Sequence, residues 1–466
     1  MKKLLNWIIP AIFGIVLWFI PTPEGLTPQS WHLFAIFVAT IVGFITQPLP
    51  IGGVSIVVIT VAALTGTLKI GEAISGFANS AIWLIVGAFL FSRGFIKTGL
   101  GKRIAYNLIS AFGSSSLRLA YALALSDLIL APATPSNTAR VGGVIMPITT
   151  SLAKAFGSEP QDGPRKIGSF LMQSIYQVNT ITSAMFQTSM AGNTLVAALA
   201  LQSFGIGITW GDWAMAAIVP GIIALIVMPY FIYKVYPPEI KDAREAQQMI
   251  KEELKGLGKM SFQEWVMLGV FVLALVLWAT SQFTKIDATT VAFLGISILL
   301  ATSVLVWDDV KSEKGAWDTL VWMGTLMGFA GFLSKLGFIE WATVLVGGYI
   351  PEGSWIIAFV IAVLINTYSH YVFASLTAHI SAMFVAFSAI AISAGAPPML
   401  TLLMIAFTSN LCMSLTHYAA GPSPVIFNTG YVPQNTWWKL GFFASVINLI
   451  IFMGLGSVWM KAIGMW

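Results

Sequence analysis

Apolar runs of roughly 20 residues recur along this 466-residue chain, and nothing else restricts its fold as tightly. Such a run, coiled at 1.5 Å per residue, matches the ~30 Å hydrocarbon thickness of a bilayer. Backbone groups in hydrocarbon must be satisfied within the protein, which leaves only helices and closed barrels. Barrel strands alternate in polarity and are about half as long, so the runs read as helices of a polytopic, all-α integral membrane protein. Only 9% of the residues are charged and 57% are hydrophobic, against about 25% charged in an ordinary globular chain. The single cysteine, Cys412, lies in an apolar segment, so disulfides play no part.

Spans are expected near 4–20, 31–47, 53–67, 80–99, 167–202, 213–236, 262–281, 287–307, 316–335, 399–432 and 438–463. Lys2 and Lys3 ahead of the first run imitate a signal peptide. Its length and the absence of a small-residue cleavage site mark it as a retained span. Amphipathic stretches fall near 101–113 and 338–350, and a charged linker, helical in part, covers 241–259. Two further apolar stretches remain. Residues 117–135 and 139–153 meet at Thr134-Pro135-Ser136-Asn137-Thr138-Ala139-Arg140, and a second piece, 354–394, is broken at Ala374-Ser375-Leu376-Thr377-Ala378-His379. Each reads as a re-entrant hairpin, because non-helical backbone at membrane depth survives only where protein buries it or it lines a cavity. The fifth span is interrupted at Ala191-Gly192-Asn193-Thr194 and the tenth at Gly421-Pro422-Ser423-Pro424.

These landmarks repeat. The tips match at an offset of 239 positions, Lys97-Thr98-Gly99-Leu100 matches Lys335-Leu336-Gly337-Phe338, and Ser183 to Val196 lies over Cys412 to Val425. Each repeat holds five spans and a hairpin; five is odd, so the repeats are expected to be inverted, with substrate at their interface. Counting basic residues with the N-terminus inside gives seventeen on the inner side and four on the outer, as the positive-inside rule requires. The N-terminus is then cytoplasmic and the C-terminus outside.

Two Ser-x-Thr-tipped hairpins with interrupted fifth and tenth spans resemble the divalent anion/sodium symporter superfamily. The run Ser414-Leu415-Thr416-His417-Tyr418-Ala419-Ala420-Gly421-Pro422-Ser423-Pro424-Val425 resembles most its exchanger branch, the oxoglutarate/malate and citrate/succinate or tartrate/succinate antiporters. The resemblance implies a homodimeric, elevator-type dicarboxylate transporter. Residues 1–113 and 262–350 would then form a scaffold, 114–236 and 351–466 the transport part, and 237–261 a cytoplasmic linker. In sodium-coupled members both tips read Ser-Asn-Thr. Leu376 cannot coordinate a cation, which puts the second sodium site in doubt.

A small dianion needs donors at both carboxylates and compensating positive charge. Ser136, Asn137, Thr138, Ser375 and Thr377 offer donors at the tips, and Asn193, Thr194, Pro422 and Ser423 line the interruptions. Helix N-termini after the tips add oriented N–H groups. Arg140 and His379, at equivalent repeat positions, are the candidates for charge compensation in place of sodium. The alternatives are that Arg140 pairs with Asp127 or is capped by carbonyls, and that His379 packs as a neutral imidazole. The expected function is sodium-independent exchange of 2-oxoglutarate, malate, succinate or fumarate in a bacterial plasma membrane, without cofactor or nucleic acid. The alternative is a sodium-coupled symporter with a residual site near Asn137 and Gly192. An enzyme is disfavoured because no metal-spaced His/Glu cluster or Walker A motif occurs, and a channel because nothing resembles a selectivity filter.

Overall fold

The computed structural model describes residues 2–347 and 355–466, and among these the chain is helical with no strand. The end of the second amphipathic stretch, the first residue of the second expected hairpin and the expected boundary at 350/351 lie outside the described residues. Nine helices among the described residues are long and apolar enough to cross a membrane.

The order of helices occurs twice. Pro28–Thr46, Ile51–Leu64, Ser80–Thr98 and the short Leu100–Phe112 are answered by Phe262–Ala279, Ala288–Ala301, Lys314–Lys335 and Phe338–Gly347. A helix pair split at a polar tip follows in each half: Ser116–Leu130 with 137–155, and Trp355–Ser369 with Leu376–Ser393. Next comes a broken helix, Gly168–Met185 with Ala191–Phe204 and Pro398–Leu411 with Pro422–Phe427. A long helix closes each half, Trp210–Val235 and Gln434–Leu449, the latter continuing to Ala462 through a π-helical stretch. The Gly99 and Gly337 landmarks are left-handed turns, at φ 75° and 77°, that end one helix and start the next without a linker.

Counting by length and apolarity departs from the eleven expected spans for physical reasons. Ile51–Leu64 and Ala288–Ala301 have 14 residues each, about 21 Å of helix, short of the hydrocarbon thickness. Gly168–Met185 is too polar to pass the count, yet all 18 of its residues are buried. The arms Ser116–Ala133, Trp355–Val372 and Leu376–Ser393 are long enough to pass.

Packing centres on two helices. Gly168–Met185 touches Ser116–Leu130, Met146–Ala155, Trp210–Val235 and Pro398–Leu411. Lys314–Lys335 touches Pro28–Thr46, Ile51–Leu64, Ser80–Thr98 and Ala191–Phe204. Close approach on the second relies on glycine, since a Cβ on Gly76 would lie 2.0 Å from the Gly324 carbonyl oxygen. The linker forms a helix at Arg244–Gly256. Arg103 bonds Glu264 through Nε (2.5 Å) and Nη2 (3.2 Å) and the Gly258 carbonyl through Nη1 (2.9 Å). Asp309 holds Lys97 at 2.5 Å. Burial pushes the Asp309 carboxyl up, but Lys97 and the Val306 N–H outweigh it and hold the group below its ordinary value.

Candidate functional site

Both interruptions fall earlier than the sequence places them. The first is at 186–190, with extended backbone at Phe186 and Met190, and the helix resumes at Ala191. Asn193 and Thr194 therefore sit in a first helical turn. The second covers 416–421, and Pro422 is the first residue of a new helix. Pro422 thus lies just past the interruption it was expected to line; its fixed φ and missing N–H suit the start of a helix. Gly192 and Asn193 mark the restart of a helix rather than the gap itself.

Several of the polar groups freed at the first break find partners, as burial demands. Asn193 Nδ2 donates to the carbonyls of Ser183 (2.7 Å) and Phe186 (2.9 Å). Thr194 Oγ1 donates to Gln187 O at 3.3 Å and Trp213 Nε1 to Ala184 O at 2.8 Å. The Ala191 N–H donates to Pro135 O at 3.0 Å, which ties the break to the first tip.

Arg140 completes that tie. Its side chain is 0% exposed, with Nε 2.9 Å from Asp127 Oδ1. Nη1 donates to Thr134 O of the tip (2.8 Å) and Ser189 O of the break (3.0 Å), and Nη2 to the hydroxyls of Thr182 and Ser183, both 3.3 Å. Asp127 also accepts from Asn179 Nδ2 at 3.1 Å and from Thr182. Arg140 is thus compensated by its own carboxylate, so the expectation of a free fixed cation gives way to a neutral pair that clamps tip to break.

The second half repeats this plan without charge. Asn366 stands at the repeat position of Asp127 and bonds Thr408 Oγ1 (3.3 Å), the repeat counterpart of Asn179. His379, the counterpart of Arg140, is fully buried with Nε2 3.1 Å from Ser369 Oγ. At the second break, Tyr176 Oη donates to the Met413 carbonyl and lies 2.8 Å from Ser423 Oγ, while His370 Nε2 bonds Ala419 O at 2.9 Å.

Tips and breaks meet crosswise. A Cβ on Gly421 would lie 2.1 Å from Thr138 Oγ1, and one on Gly192 would lie 2.6 Å from Ile380 Cδ1. Asn410 Nδ2 donates to Asn193 Oδ1 at 2.7 Å and joins the two broken helices. Ser136, Thr138, Ser375 and Thr377 are only half-buried, with Ser136 and Ser375 capping the helices that start beside them. Asn137, Asn193, Thr194, Pro422 and Ser423 are buried; Asn137 Nδ2 reaches Ser183 Oγ at 3.3 Å. A cavity of 750 Å³, walled largely by apolar atoms with Asn79, Gln187, Thr194, Gln202 and Lys285 among its lining residues, reaches the first break. A cavity of 440 Å³ among the first three helices is lined by apolar side chains and includes no tip or break residue. Asn366 was available to sequence reasoning through the 239-residue offset; Tyr176 carried no comparable signal.

The whole chain, residues 1–466, matches the family model described as the sodium:sulfate symporter transmembrane region. The chain belongs to this family. Among other members, YflS of Bacillus subtilis, described as a candidate malate transporter, is 52% identical over 465 residues, covering 100% of this chain and 97% of the relative. The chloroplastic dicarboxylate transporter 1 of Spinacia oleracea is 47% identical, covering 97% and 80%. The inner membrane protein YbhI of Escherichia coli is 40% identical, covering 100% and 98%. The solved YdaH transporter of Alcanivorax borkumensis shares the fold, with a TM-score of 0.53 at 12% identity over 100% of this chain and 97% of that one.

Proposed function

We propose that this symporter-family chain exchanges small dicarboxylates, of the 2-oxoglutarate, malate, succinate and fumarate class, across a bacterial plasma membrane without sodium. Relatives named for malate and dicarboxylate transport support the substrate class. The observation that carries sodium independence is the Arg140 clamp. Its guanidinium bonds the oxygens of Thr134, Ser189, Thr182 and Ser183, the kind of oxygen cage a hard cation would need.

In this reading the half-buried hydroxyls of Ser136, Thr138, Ser375 and Thr377 hold the carboxylates. Asn137, Asn193, Thr194, Pro422 and Ser423 shape the floor, and the Arg140–Asp127 pair fills the place of a sodium ion without adding net charge. Helices starting at Asn137, Ala191, Leu376 and Pro422 contribute partial positive charge at their N-termini. Obligatory exchange follows from desolvation: an empty site would take unsatisfied hydroxyls and helix ends through the barrier, while a loaded site is satisfied. The two helix sequences act as inverted repeats with eleven spans and two re-entrant hairpins, N-terminus inside and C-terminus outside. Residues 114–236 and 351–466 slide as an elevator against the scaffold 1–113 and 262–350, linked by 237–261, in a homodimer.

Sodium-coupled symport is the second reading, favoured by Asn137 and by Gly192 beside the first break. Uptake of labelled succinate and 2-oxoglutarate into proteoliposomes preloaded with unlabelled dicarboxylate separates the two. Equal rates in sodium and choline media are expected; uptake confined to sodium medium would establish symport instead.

A further inference from the structure

We propose that His370, His379 and Cys412 form a binding site for a borderline-soft cation of the zinc class. One donor atom from each residue lies within 4.8 Å of the other two, and all three side chains are buried. The hydrogen bonds around them fix which atoms are free. Ala419 O can only accept, so His370 Nε2 carries the hydrogen at 2.9 Å and Nδ1 holds a lone pair. The single hydrogen of Ser369 Oγ goes to Asn366 O, so that oxygen accepts from His379 Nε2 and leaves the lone pair of His379 on Nδ1 as well. Both Nδ1 atoms are buried without a hydrogen-bond partner. Two unsatisfied imidazole lone pairs beside a thiol call for an occupant. Metal-bound histidines use their other ring nitrogen in this way, donating to a carbonyl or hydroxyl that orients the ring.

The repeat adds a second argument. His379 stands where the first half has Arg140, and Cys412 stands where it has Ser183, whose hydroxyl accepts from the Arg140 guanidinium. Imidazole is shorter than the arginine side chain, so the second half lacks the covalent cation and offers two nitrogens and a sulfur instead. Zinc takes nitrogen at about 2.0–2.1 Å and thiolate sulfur at about 2.3 Å in a tetrahedron. The three donor residues, with one ligand atom each within 4.8 Å of the others, would bring their donors to about 3.5 Å apart on binding, which asks for side-chain rotation. The Cys412 thiol loses its proton to solvent on binding, and the three protein donors leave a fourth position for water. Cation affinity follows from these side chains alone; only an effect on transport would rest on the exchange reading above.

The test uses purified full-length protein and Co²⁺ as the spectroscopic probe. The expected result is a sulfur-to-cobalt charge-transfer band in the near ultraviolet, displaced by stoichiometric Zn²⁺ and abolished in Cys412→Ser. That substitution supplies the residue found at the equivalent position of the first half, and its melting profile checks its fold. A band that persists in a folded Cys412→Ser protein would overturn the site. So would no band in the wild type, as expected if a single water bridges the two Nδ1 atoms. Should the variant fail to fold, the wild type decides alone, because Cys412 is the only thiol in the chain.

Discussion

Arg140 shows how far a residue's type determines its role. A basic residue in apolar sequence has to be compensated, but the sequence left open whether by substrate or by protein. Asp127, thirteen positions earlier, answers that at 2.9 Å. Breaking a buried pair from one side costs about 3–5 kcal/mol. Arg140→Gln and Asp127→Asn alone are therefore each expected to cut exchange about 100-fold or more and to reduce the yield of monodisperse protein. Combining them should restore much of that yield, because Asn366 and His379 fill the same two positions without charge in the second half. Size-exclusion profiles of all three variants check this; a double variant no better than its singles would contradict the clamp. The candidate residues were legible because polar side chains stand out in apolar runs. Their division of labour was not, since Asn193 and Thr194 turn inward to carbonyls that only the folded break exposes.

Among the elements, helix order was legible and the breaks were not placed correctly. Periodicity and glycine landmarks mark where a helix restarts, whereas Phe186 to Met190 and Thr416 to Ala420 hold no glycine or proline to mark a break. The crosswise contact of tip and break is open to test. Gly421→Ala places a methyl group 2.1 Å from Thr138 Oγ1 and 3.2 Å from its Cβ, on a β-branched side chain with little freedom. Overpacking of this kind costs about 1–3 kcal/mol, so exchange is expected to fall about tenfold or more. Gly192→Ala meets only the far ends of Ile380 and Met190 and should lose less; equal rates for the two variants would argue against the contact. On the short helix Trp307–Ser312, between Ala288–Ala301 and Lys314–Lys335, the lowered Asp309 carboxyl gives a sign. Its pairing stabilises the fold above the ordinary carboxylate value of about 4 and fades as pH falls through the lowered one. Lys97→Ala should then lower the melting temperature at neutral pH, and the gap to the wild type should narrow in acid.

For the molecule as a whole, membrane character and transporter class were legible because a bilayer admits so few architectures. The span count was harder: Ile51–Leu64 is too short and Gly168–Met185 too polar for a rule based on length and apolarity, yet both are helices of the repeated plan. The central claim is that the carrier crosses only when loaded. Proteoliposomes filled with labelled succinate, in sodium-free choline medium, test it most directly. Release of label should be slow into plain medium and at least about tenfold faster when unlabelled 2-oxoglutarate or malate is added outside. Rapid release without an external dicarboxylate, or acceleration only when sodium is supplied, would contradict exchange.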